Sequence, residues 1–74
     1  MTKFKKAEWT DDLLGKKVTV ITNEGARSRG FEVNKAYKGR LMGKVDWMVG
    51  CPVFKCEIGM LGLNYECYLV EKLD

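Results

Sequence analysis

GKKVTVITNEGARSRGFEVNKAY, residues 15–37, decides how this chain folds. Residues 17–22 alternate, with Val18, Val20 and Thr22 on one side and Thr19 and Ile21 on the other, the period-two signature of a half-buried strand. Asn23-Glu24-Gly25 is turn chemistry that cannot extend the strand, and Gly30 closes the loop so begun. Phe31 and Val33 resume the inward pattern, Asn34-Lys35 forms a tight turn, and Ala36-Tyr37-Lys38 starts the return. The unit is strand, cationic loop and returning strand, with Arg27 and Arg29 set between two glycines.

Downstream the same grammar repeats. Glycines at 39, 43, 50, 59 and 62 punctuate three apolar runs, Val45-Asp46-Trp47-Met48-Val49, residues 53–58 and residues 63–70. Val45, Trp47 and Val49 share one face of a strand, as do Leu63, Tyr65, Cys67 and Leu69. Pro52 belongs at a strand start or a bulge, where a missing N–H is tolerated. Upstream, residues 10–15 fit one short helical turn, with Thr10 as N-cap, Asp11 and Asp12 on the positive end of the dipole and Gly15 as terminator. Residues 1–8 read as a loosely held basic arm, and Trp9, outside the expected strands, as a plug for the end of a barrel. The expected fold is all-β: five or six short antiparallel strands closed into a small barrel, in one domain spanning residues 1–74.

A chain of 74 residues has one thin core. Two Trp, three Tyr and three Phe supply much of its area, at about 150–250 Å² each. The basic start is not followed by an apolar segment, so neither export nor membrane insertion is expected. Cys51, Cys56 and Cys67 are an odd number, which favours reduced thiols and a cytoplasmic home. Their spacing lacks the close pairs of a zinc site, so the cysteines read as packing residues and no metal or other cofactor is expected.

Histidine is absent, and Ser28, the one serine, has no base beside it. Those gaps exclude Ser-His-Asp and Cys-His chemistry, and no carboxylate spacing suggests another catalytic pair. The expectation is a protein that binds rather than reacts. Net charge is +3, but residues 1–44 hold eleven Lys/Arg against five Asp/Glu, while residues 45–74 hold two against five. The basic half thus contains every residue expected to meet an acidic partner: Arg27 and Arg29 on the loop, and Lys35, Lys38 and Arg40 on the second hairpin. Tyr37 and Tyr68 are the expected apolar anchors, while Ile21, Met48, Phe54 and Tyr68 suggest a second apolar face, suited to a protein contact or a homodimer.

The order Gly-Lys-Lys-Val-Thr-Val-Ile, polar loop, Gly-Phe-Glu-Val-Asn-Lys-Ala-Tyr, then hairpins ending in Tyr-Leu-Val-Glu, resembles the small SH3-like barrels of phage-encoded accessory proteins. KOW-type modules are a more distant likeness. Over residues 13–72 the resemblance implies an SH3-like barrel of phage origin, without enzymatic activity. Its expected partner is a host enzyme or defence complex that it inhibits or redirects. The alternatives are a nucleic-acid-binding module using the same basic residues, and a homo-oligomeric structural protein.

Overall fold

The structure is a computed structural model and describes residues 3–44 and 52–72. Among the described residues there are six strands: β1 (Phe4–Lys6), β2 (Lys17–Thr22), β3 (Ala36–Lys44), β4 (Pro52–Lys55), β5 (Met60–Gly62) and β6 (Cys67–Lys72). They form one sheet in the order β1-β6-β2-β3-β4-β5, with every neighbouring pair antiparallel. The all-β expectation therefore holds. The expected strand at 45–49, with Trp47 and Met48, lies outside the described residues, as does Cys51.

The sheet is curled but not closed into a barrel: β1 and β5 are its two edges. Strands β5 and β6 stand four spacings apart, ~19 Å if the sheet were flat. Residues 63–66 nevertheless join them in a compact turn, in which Tyr65 and Glu66 N–H both donate to the Gly62 carbonyl (3.1 and 3.0 Å). A flat sheet could not be crossed that way, so the turn forces the curl. It also explains why no ladder closes over β5. The polar groups of Gly62 on that edge are already taken: its carbonyl by the turn, its N–H by the Glu66 carboxylate (2.9 Å).

The concave side of the curl holds the core. Val20, Leu41, Phe54, Leu61, Cys67 and Leu69 project there from five strands, joined by Ala26, Phe31 and Leu63 from connections. Each large apolar side chain so buried contributes about 1.5–3 kcal/mol. Trp9 packs half-buried against this cluster together with Ala7, Leu13 and Leu14. The short helical turn expected near residue 10 is present as a 3-10 helix, Asp11–Leu13, although the Thr10 side chain makes no cap hydrogen bond. Gly39 is required by close approach: an added Cβ would lie 2.8 Å from Phe54 Cζ and would collide with the Lys55 carbonyl.

Four expectations need correction. Residues 4–6 are not a loose arm but strand β1, paired with β6 through Phe4↔Lys72, Lys5↔Glu71 and Lys6↔Val70. Strand alternation does not run through 63–70, because Asn64 adopts a left-handed conformation (φ 69°) and turns the chain, leaving Tyr65 exposed. It ends at Lys55 in the run 53–58, and the turn that follows leaves Ile58 half exposed. Phe54 belongs to the core rather than to a second apolar face. Of that face the described residues retain Ile21 and Tyr68, directly opposite each other and half-buried.

Candidate functional site

The loop between β2 and β3 is a built structure. Residues Glu24–Arg29 form a 3-10 helix capped by the Asn23 carboxamide, which accepts from Gly25 N–H (2.8 Å). Gly30 ends it in the left-handed region (φ 88°), where a β-carbon would be strained. Residues 31–35 are not a strand. They wrap around the buried Thr22 hydroxyl, which donates to the Glu32 carbonyl and accepts from Lys35 N–H (3.1 Å). A buried hydroxyl so satisfied fixes the loop against the sheet.

Several residues expected to meet a partner are engaged within the fold. Arg29 Nε donates to Glu66 Oε2 (2.8 Å), and the same carboxylate's Oε1 accepts from Gly62 N–H. The Asn23 amide donates to the Tyr65 carbonyl (2.8 Å). Asn23, Arg29 and Glu66 therefore clamp the 3-10 helix to the turn between β5 and β6. Tyr37 stacks edge-to-face on Phe31 (centroids 5.0 Å apart, 80°), and its hydroxyl accepts from Glu32 N–H (2.9 Å). Lys35 pairs with Glu32 (3.1 Å) and sits 5.5 Å from the Tyr37 ring centre. Its ammonium pKa is raised, chiefly by the Glu32 hydrogen bond and charge. Tyr68 is half-buried beside Ile21, and Arg27 is exposed on the 3-10 helix.

Lys38 and Arg40 are placed differently. Both point from β3 to the convex side of the sheet, where two residues not singled out from the sequence join them. The register sets Lys17 opposite Arg40 and Arg40 opposite Lys55, so three cations stand side by side on β2, β3 and β4. Directly opposite residues share a face, with β-carbons about 4.5–5.5 Å apart. Met60 continues the row on β5. Arg40 Nη1 donates to the Gly15 carbonyl (2.8 Å), which orients the guanidinium and leaves its other N–H groups for a ligand. Lys17, Lys38 and Lys55 make no ion pair with another described residue.

These side chains border an open groove of about 780 Å³ that follows β3. Lys38, Arg40 and Met42 line its floor, Lys17 one wall, and Lys55 with Ile58 the other. Met42 is 40% and Ile58 50% exposed, so the groove joins positive charge to aliphatic surface. Among the described residues Glu57 is the one acid on its border. Lys17 and Lys55 join the groove only through register, since each lies far in sequence from Lys38 and Arg40.

Chemically the groove offers a ligand cations beside aliphatic surface. Among the described residues no cluster of three or more Asp, Glu or Cys is arranged to hold a metal ion. Cys67 is buried at the start of β6 with its thiol pKa pushed up to about 12, first by burial and then by the Glu66 and Cys56 charges. It is a poor nucleophile in that state. No described helix is long and apolar enough to cross a membrane. Comparison with protein-family models, with curated proteins and with solved structures gives no match for this chain.

Proposed function

We propose that this protein is a non-enzymatic protein-binding module, an SH3-like domain with an incompletely closed sheet, and that its partner docks in the groove over β3. The observation that carries the reading is the row Lys17–Arg40–Lys55 on three adjacent strands. Like charges directly opposite one another destabilise a sheet. An anionic partner converts that cost into attraction, and guanidinium and ammonium groups are suited to carboxylates. The docking surface thus moves from Arg27 and Arg29 to the convex face, retaining Lys38 and Arg40 from the sequence expectation.

A protein is favoured over nucleic acid by the rest of the lining. Single strands bind through aromatic faces on which bases stack. Here the lining carries Met42 and Ile58 together with Tyr37, whose ring is packed edge-to-face on Phe31 and whose hydroxyl accepts from Glu32 N–H, so it is not a free stacking platform. Assembly through sheet edges is disfavoured, since both edge strands have three residues, β1 carries Lys5 and Lys6, and Glu66 and the turn occupy Gly62. On the resemblance to phage accessory barrels, the partner is a host cytoplasmic protein whose acidic surface the module occludes.

The test is capture from a bacterial lysate by tagged wild type and by a Lys38→Glu/Lys55→Glu variant, with nuclease and moderate-salt washes. A stoichiometric protein held by the wild type, resistant to nuclease and lost from the variant is the expected result. Material lost on nuclease treatment would move the assignment to nucleic acid. Retention by the variant, with loss from Arg27→Ala, would return the site to the 3-10 helix.

A further inference from the structure

Building on the protein-binding reading of the groove, we infer that its occupant is an extended acidic segment with the pattern acid-x-acid-x-aliphatic, laid along β3. The floor dictates this spacing. Lys38, Arg40 and Met42 are alternate residues of one strand and project to the same side. Alternate residues of an extended chain lie about 6.6–7 Å apart, in the floor as in any strand-like occupant. A segment aligned with β3 therefore presents its own alternate side chains in step with the floor. Two carboxylates face Lys38 and Arg40, and the third alternate side chain reaches Met42.

The walls reinforce that assignment. Lys17 and Lys55 flank Arg40 from both sides, so the middle carboxylate enters the most positive point of the face. At the Met42 end, the lining has no described cation beside it in the ladder, because its partner on β4 is Val53. The groove is thus charged at two successive steps and apolar at the third. A helical occupant repeats its exposed face at three to four residues and falls out of step with a strand-spaced floor. Gly39, between the two floor cations, faces the core, so its missing side chain does not widen the groove.

The test uses the intact, isotope-labelled protein and three synthetic nonapeptides in NMR titration. One carries two Glu at i and i+2 with Leu at i+4; the second has the same composition with the Glu residues adjacent and Leu displaced by one; the third replaces both Glu by Gln. A single-stranded oligothymidylate is titrated in parallel. The matched peptide is expected to shift the amides of Lys17, Lys38, Arg40, Met42 and Lys55 and to bind about tenfold tighter than its isomer, with no measurable binding by the Gln peptide. Equal affinity of matched and displaced peptides at those amides would overturn the spacing and leave the groove as a protein site. Failure of every peptide at those amides, or displacement of the matched peptide by the oligothymidylate at equal concentration, would overturn the protein-binding reading itself.

Discussion

Replacing Lys55 by Glu should make the protein more stable and at the same time unfit to bind. Lys55 stands directly opposite Arg40, which stands opposite Lys17, and none of the three has an acid across the ladder. An opposite-charge pair at such positions contributes roughly 0.2–1 kcal/mol, and a like pair is unfavourable. Taking the two as equal and opposite, Lys55→Glu gains about 1 kcal/mol, half from repulsion removed and half from attraction to Arg40. In a domain of this size that raises Tm by about 4–8 °C. Lys55→Gln, which removes repulsion alone, should give about half the shift.

Thermal unfolding followed by circular dichroism at ~10 mM and ~1 M salt is the assay, because the screening length falls from about 30 to about 3 Å between them. The wild type should gain stability with salt, and the Glu variant should lose part of its advantage. Binding of an acidic peptide should drop about tenfold or more in the Glu variant, since a carboxylate replaces a wall cation. A Tm lowered by Lys55→Glu at low salt would refute the reasoning. So would a gain identical at both salt concentrations, since it would not arise from charge.

Glu66→Ala should cost about 1–3 kcal/mol in urea unfolding, because it strips an acceptor from Gly62 N–H and a partner from Arg29; Glu66→Gln, which keeps an acceptor, should cost less. Arg29→Ala should lower stability measurably while Arg27→Ala should not, since only Arg29 is clamped to Glu66; equal melting curves would dissolve that distinction. Gly39→Ala should destabilise by several kcal/mol, as the added carbon meets Phe54 and the Lys55 carbonyl in a packed interior; a near-native Tm would contradict the close approach. Cys67 should resist alkylation at pH 8 in the native protein and react once unfolded. Because its folded pKa is raised to about 12 while an unfolded thiol ionises near 8.5, its contribution is whole below about pH 8.5 and is lost as pH rises toward 12, so Cys67→Ala should flatten that alkaline slope.

Strand β2 was legible because its alternation is uninterrupted and its turn residues follow at once. Pro52 at the start of β4 was legible from its missing N–H, and the inward positions of Cys67 and Leu69 from their alternation within β6. Strand β1 was not, since Phe4-Lys5-Lys6 has the composition of a solvated arm and is held by ladder bonds that only β6 can supply. The break at 64–66 was hidden because Tyr65 fits the alternation of a strand in composition, whereas Asn64 takes the left-handed conformation that makes the turn. Arginine in a glycine-bounded loop suggested a contact surface, but the long-range acceptor on Glu66 ties the still exposed Arg29 to the turn between β5 and β6. Of the groove, Lys38 and Arg40 could be read locally. Lys17 and Lys55 join them through a register that couples residues 38 positions apart, information that no local window contains.

Docking of a protein on the convex face over β3 is put to the test by site-specific photo-crosslinking. A photoreactive side chain is installed at position 38 in the groove and, separately, at position 27 on the 3-10 helix, and each protein is irradiated in a nuclease-treated bacterial lysate. The expected result is a discrete protein adduct from position 38 that disappears when Lys55→Glu is added, with none from position 27. An adduct from position 27 alone, or one from position 38 that persists with Lys55→Glu, would contradict it.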